Sequence, residues 1–263
     1  MEVIIMRDRE SAAQLTARYL AREIRRRPKL VLGLATGRTM ELVYGKLVAM
    51  HEEDGLDFSL VSTFNLDEYI GLGSHDEQSY RHYMNRHLFQ HVNIDPRNTH
   101  LPNGLADDID AECAHYEDLI RECGGIGLQL LGIGRSGHIG FNEPLSAMYS
   151  RTRAKALTPQ TIEQNAPMFR DPADMPKRAI TMGVGTILEC KRCILLATGR
   201  EKAEVIAKAV EGPVTSMISA SALQLHPRCS VIIDEEAATC LDNQEYYRWI
   251  FDNEPEWQEF RKM

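Results

Sequence analysis

Ile126-Gly-Leu-Gln-Leu-Leu-Gly-Ile-Gly-Arg-Ser-Gly-His-Ile-Gly-Phe-Asn-Glu-Pro144 joins a short apolar run to a glycine-rich turn carrying a histidine, a hydroxyl and a carboxylate. The run from Ile126 to Leu131 reads as a buried strand, and Gly132, Gly134 and Gly137 remove side chains where the backbone turns or approaches a ligand. His138 is therefore expected just past a strand's carboxyl end. In an open parallel α/β sheet that edge binds ligands, because its loops line a crevice and the helices that follow aim their amino termini into it. A lone histidine in such a turn is commonly structural; Glu143, nearby in the same stretch, adds the carboxylate that proton-transfer chemistry uses.

The same punctuation recurs along the chain. Apolar strands are expected at Val3 to Met6, Leu30 to Ala35, Leu60 to Leu66, Ile126 to Leu131, Cys193 to Ala197 and Val231 to Ile233. Helical patterns fall between them at Ser11 to Arg27, Met40 to His51, Ala111 to Cys123 and Lys202 to Val210. The alternation predicts an open, mostly parallel, doubly wound (Rossmann-like) α/β sheet, with right-handed crossovers placing helices on both faces. With no linker rich in proline and glycine, residues 1–263 read as one domain. Thr158 to Lys177 has little periodicity and reads either as a mobile lid or as an ordered surface excursion.

Composition narrows the function classes. The longest apolar runs fall far short of the roughly 20 residues of a membrane span, and the amino-terminal segment reads as a first strand rather than a secretion signal. A cytoplasmic protein is expected. A formal net charge of −8 and a pI near 5.6 argue against general nucleic-acid binding, so an anionic ligand must be held by local geometry. Six cysteines in a chain of 263 residues do not suggest a disulfide scaffold. Cys190-Lys-Arg-Cys193 has redox or zinc-ligand spacing, but no second pair completes a four-ligand site, and a structural or incidental role is expected. His75, His82, His87 and His91 are interspersed with polar residues and read as a solvated surface.

Three strand ends carry further polar groups. Thr36-Gly37-Arg38-Thr39 follows a strand and opens a helix, so its hydroxyls and amides suit a phosphate, with Arg38 adding a bidentate contact. The alternative is ordinary capping and turn chemistry. Thr198-Gly199-Arg200-Glu201-Lys202 repeats the arrangement, with Lys202 either meeting the same anion or standing in solvent. The strand Leu60 to Leu66 ends in Asp67-Glu68-Tyr69; adjacent extended positions point oppositely, so one carboxylate faces the ligand. That carboxylate is suited to shuttling a proton on carbon, the alternative being helix capping by Asp67.

Taken together, Thr36-Gly-Arg-Thr39, Phe64-Asn-Leu-Asp-Glu-Tyr69, Gly132 to Pro144 and Ser150-Arg-Thr-Arg-Ala-Lys155 resemble the glucosamine-6-phosphate deaminase family over nearly the whole chain. Asp108-Ile-Asp-Ala-Glu-Cys113, Met182-Gly-Val-Gly-Thr186, Glu211-Gly212 and Leu223-Gln-Leu-His-Pro227 extend the match. The sister family, 6-phosphogluconolactonase, shares the fold and the Gly-His turn but differs after the histidine. The resemblance implies aldose-ketose isomerisation with loss of ammonia, converting glucosamine 6-phosphate to fructose 6-phosphate with neither a redox cofactor nor a metal. His138 would open the sugar ring, Glu143 would orient the imidazole, and Asp67 would move the proton from C2 to C1. Other readings are a galactosamine 6-phosphate deaminase and a catalytically weak sugar-phosphate sensor.

The chain departs from the family's pattern at three places. Ser136 stands where relatives usually carry aspartate or asparagine, putting a shorter, neutral group beside His138. Arg38 replaces a small residue and Met40 a proline in the phosphate loop. Pro167 takes the position of an arginine that closes over the phosphate, although Arg170 is near. Either Arg38 supplies the guanidinium lost at Pro167, or it faces solvent and the phosphate is bound with fewer charges. The resemblance also implies a homo-oligomer, favoured as a hexamer, with N-acetylglucosamine 6-phosphate as an activator between subunits. Ser146, Arg153 and Lys155 match that activator site, whereas Ala147 and Ala156 replace its usual hydroxyl residues.

Overall fold

A computed structural model describes residues 1–261. Its elements are β1 (Glu2–Met6), α1 (Arg9–Arg26), β2 (Val31–Leu34), α2 (Arg38–Asp54), β3 (Ser62–Asn65), β4 (Asp67–Tyr69), α3 (Tyr80–His87) and β5 (Thr99–His100). They continue with α4 (Ile109–Glu122), β6 (Leu128–Leu131), β7 (Arg153–Ala156), α5 (Pro159–Asn165), β8 (Arg178–Thr181), α6 (Val184–Leu188), β9 (Cys193–Ala197), α7 (Ala203–Val210), β10 (Cys229–Asp234) and α8 (Gln244–Asn253).

Seven strands form a wholly parallel sheet in the order β1-β10-β9-β6-β2-β3-β5. Its central members are buried along their length, as the unbroken apolar runs require of a sheet covered on both faces. From β2 the chain winds outward through β3 to β5; from β6 it winds the opposite way through β9 to β10. The order thus reverses between β2 and β6. A crevice opens at such a reversal, because the loops leaving the two strands diverge to opposite faces.

The expected strands and four helices are all present, with ends displaced by a few residues. Periodicity does not disclose a second sheet, β4-β8-β7, antiparallel throughout. Its strands have three or four residues, too few to establish a period of two. It covers a smaller apolar cluster of Tyr69, Phe141, Leu157, Phe169, Met175 and Ala179. Phe169 and Met175 anchor the segment 158–177 there, and its first half forms α5. After α8 a 3-10 turn inserts Trp257, fully buried, against Tyr19 of α1.

Candidate active site

A cleft of 480 Å³ occupies the crevice, with Thr36, Gly37, Arg38, Thr39, Asp67, His138 and Lys202 all in its wall. Four separate strand ends deliver these groups, since the sheet brings the exits of β2, β3, β6 and β9 to one edge.

The glycines after β6 have distinct tasks. A Cβ on Gly134 would lie 2.1 Å from His138 Nε2, so only glycine leaves room for the imidazole. Gly137 turns the chain with φ +80°, and Gly140, with φ +55°, leaves room for Thr181, whose Oγ1 would stand 2.9 Å from an added Cβ. His138 Nδ1 lies 2.8 Å from Ser136 Oγ and 3.1 Å from Glu143 Oε2. With Nδ1 directed at the carboxylate, Nε2 is left outside this pair of contacts, on the side of Gly134. Glu143 Oε1 accepts hydrogen bonds from Thr161 Oγ1 at 2.5 Å and Thr158 Oγ1 at 3.1 Å. Burial alone pushes the Glu143 carboxyl up, but the hydrogen bond and charge of His138, joined by the two threonines' donors, hold it at about 2. It is a permanent anion behind the imidazole. The segment that follows β7 is therefore tied to the histidine through one carboxylate.

Asp67 and Glu68 separate as adjacent extended residues must. Asp67 faces the cleft. Glu68 points the other way and accepts the backbone N–H groups of Tyr69, Tyr80 and Arg81, each at 2.9 Å. Helix capping at the start of α3 thus falls to Ser79, which accepts from His82 N–H, and to Glu68, and not to Asp67. Burial pushes Asp67 up to about 8, and the neighbouring Glu68 adds to the rise. Burial also lifts Glu68, to about 7, against the pull of its three amide donors. A carboxylic acid titrating near neutrality is suited to taking a proton and returning it.

One end of the cleft is built from the start of α2. Gly37, with φ +123°, starts this helix and no side-chain hydrogen bond caps it, so its first amides are free to face the cleft. Tyr83 Oη donates to Gly37 O at 2.8 Å and steadies the loop. Arg38 is exposed at the rim, whereas Pro167 and Arg170 lie outside the cleft wall. Lys202 is half-buried, its Nζ donating to Ile133 O at 2.8 Å; burial pulls its pKa below the ordinary lysine range. It is therefore not a solvated first-turn lysine.

Sequence reasoning did not single out Arg9, Tyr80, Gln164, Asn165 or Thr198 as lining residues, yet all line the cleft. Thr198 is buried with its hydroxyl unpartnered in the protein, an available donor for a ligand. Only its place beside Lys202 offered a signal, because Tyr80, Gln164 and Asn165 reach the cleft through packing of α3 and α5. Ser146, Arg153 and Lys155 lie outside the cleft wall. Arg153 donates to Ser146 Oγ at 3.1 Å and Asn142 Oδ1 at 2.9 Å, while Lys155 is two residues along β7, on the same face.

A doubly wound sheet whose cleft gathers Asp67, the uncapped start of α2 and His138, with Glu143 behind the imidazole, defines an α/β protein with a candidate acid-base site at its topological switch point. The chain belongs to the glucosamine-6-phosphate isomerase/6-phosphogluconolactonase family, which it matches over residues 8–231. It is 50% identical over 250 residues to the glucosamine-6-phosphate deaminase of Cellvibrio japonicus, covering 95% of both chains. A solved structure of a monomeric glucosamine-6-phosphate deaminase superposes with a TM-score of 0.90 at 46% identity, covering 91% of this chain and 100% of the other. The 6-phosphogluconolactonase of Trypanosoma cruzi shares the fold, with a TM-score of 0.73 at 18% identity over 92% and 97% of the two chains.

Proposed function

We propose that the chain is an enzyme that converts glucosamine 6-phosphate and water to fructose 6-phosphate and ammonia. The observation that carries this reading is that Asp67 and His138, the latter backed by Glu143, share one cleft with the uncapped start of α2. The phosphate seats on the first amides of α2 with Arg38 and Lys202 around it, which fixes the open-chain sugar at one end. His138 takes the anomeric hydroxyl proton and protonates the ring oxygen. Asp67 takes the proton from C2 and delivers it to C1. Water then adds at C2 as ammonia leaves. None of these steps requires a redox cofactor or a metal.

Ammonia release from glucosamine 6-phosphate, with galactosamine 6-phosphate and 6-phosphogluconolactone in parallel, tests the reading. Release from the first substrate alone is expected. Preference for galactosamine 6-phosphate would reassign the epimer, and saturable binding without turnover would make the chain a sensor.

Arg38 takes over the guanidinium role that Pro167 cannot fill. A charge-assisted contact of this kind contributes about 1.5–3 kcal/mol, so Arg38→Ala is expected to raise the Kd for sugar phosphates by roughly tenfold or more. Titration of both proteins with fructose 6-phosphate reads this; equal affinities would dismiss the exchange.

In this reading the segment 158–177 works as a lid whose Thr158 and Thr161 engage Glu143 when closed. The hexamer and its N-acetylglucosamine 6-phosphate activator rest on Ser146, Arg153 and Lys155, whereas one structural relative is described as monomeric. Sedimentation of the full chain with and without that sugar phosphate reads both. A metabolic role in the cytoplasm accords with the substrate, and among the described residues no helix is long and apolar enough to cross a membrane.

A further inference from the structure

Cys190 and Cys193 take no part in the cleft. Cys190 lies in the bend after α6, and Cys193 is the first residue of β9. Because the large sheet is parallel, Cys193 sits at its amino-terminal edge, while Thr198, just past the other end of β9, lines the cleft. The two Sγ atoms are 3.1 Å apart, and the residues are 5% and 0% exposed.

His226 closes a third side. Its Nδ1 accepts the Arg228 backbone N–H at 3.0 Å. That donor obliges the imidazole to carry its proton on Nε2, which is 2.8 Å from Cys190 O and 3.7 Å from Cys190 Sγ. The three potential ligand atoms lie within 4.8 Å of one another. A metal, however, would need Nε2 bare and the proton moved to Nδ1, against the Arg228 N–H. The arrangement suits a dithiol with a hydrogen-bond donor beside one sulfur better than a metal centre.

We propose that Cys190 and Cys193 form a reversible internal disulfide by exchange with a low-molecular-weight disulfide. The Cys190 thiolate attacks one sulfur of the small disulfide, forming a mixed disulfide and expelling one small thiolate. Cys193 then gives up its proton, attacks the Cys190 sulfur and expels the second small thiolate. The protein dithiol is oxidised by two electrons, and the small disulfide is reduced to two thiols. Cys190 is the attacking residue because it is the less buried of the pair and has His226 Nε2–H beside it. Hydrogen bonds from Cys193 and His226 hold its thiol below the ordinary range against the effect of burial, while Cys193 is pushed up.

The test uses the full chain equilibrated in mixtures of reduced and oxidised glutathione, acid-quenched, unfolded, alkylated and mapped by mass spectrometry. The segment holding residues 190 and 193 is expected to escape alkylation in oxidising mixtures, two hydrogens lighter than its free dithiol, and to take up two alkyl groups in reducing ones. Cys193→Ser is expected to accumulate a glutathione adduct on Cys190, and Cys190→Ser to carry none at Cys193. Free thiols at both positions in every mixture would overturn the proposal. So would a bridge from Cys193 to Cys229, its buried partner in the register of β9 and β10, or stoichiometric zinc in the parent that Cys190→Ser abolishes.

Discussion

Asp67→Asn releases ammonia from glucosamine 6-phosphate about 10³-fold more slowly than the parent, with little change in the Kd for fructose 6-phosphate. The amide matches the carboxyl in shape, so the cleft and its phosphate end persist, but it cannot accept the C2 proton. Ammonia release under saturation and product titration separate the two effects. Retention of more than a tenth of the parent rate would remove Asp67 from the chemistry.

The same substitution changes stability in a predictable direction. Asp67 has its folded pKa raised from 3.8 to about 8. Between those values the folded chain holds a proton that the unfolded chain has released, so this carboxyl makes stability fall as pH rises through the window. Above about pH 8 the folded state contains the buried anion and bears the whole cost. The amide of Asp67→Asn does not ionise, and the variant's melting temperature is expected to exceed the parent's increasingly from pH 5 towards pH 9. Parallel melting curves for the two proteins would contradict the burial argument. Catalysis runs the other way: the base must be ionised, so kcat/KM is expected to rise with pH on approach to about 8 in the free enzyme.

His138→Gln is expected to lower kcat/KM by about 10²–10³-fold, because ring opening loses the group that exchanges protons with the anomeric hydroxyl and ring oxygen. The turn itself should survive: Gly134 leaves space for a planar side chain, and glutamine retains a donor for Glu143. Ammonia release from glucosamine 6-phosphate across a range of substrate concentrations reads this loss, and a kcat/KM within about threefold of the parent's would remove His138 from the chemistry. Glu143 has a folded pKa lowered from 4.5 to about 2, so it contributes stability above about pH 4.5 that is lost as pH falls through about 2. Its ionisation therefore lies well below the pH range of the Asp67 titration.

Ser136 shows how far motif reading reached. Sequence placed a short neutral group beside His138, and Ser136 Oγ does lie 2.8 Å from Nδ1. The threonines behind Glu143 were not foreseen, because they come from a segment without periodicity that Ile162, Phe169 and Met175 pack against the smaller apolar cluster. Likewise, alternation of side chains along an extended strand predicted that Asp67 and Glu68 would part. Which of them met the ligand depended on α3, whose first amides claim Glu68.

Local chemistry in the chain predicted the parallel sheet, the glycine turn after β6 and the strand-to-helix turn after β2, and it singled out His138, Glu143 and the Asp67-Glu68 pair as candidates. These follow from short-range rules: apolar runs, glycines where a Cβ has no room, and helix starts beyond strand ends. The second sheet, the cleft-facing choice of Asp67, the half-buried Lys202 and the enclosure of Cys190 and Cys193 by His226 came from long-range assembly. Each depends on desolvation and on partners distant in sequence, as when Lys202 meets Ile133 and Cys190 meets His226. No local pattern encodes such meetings, because burial is a property of the packed layers and not of the segments that enter them.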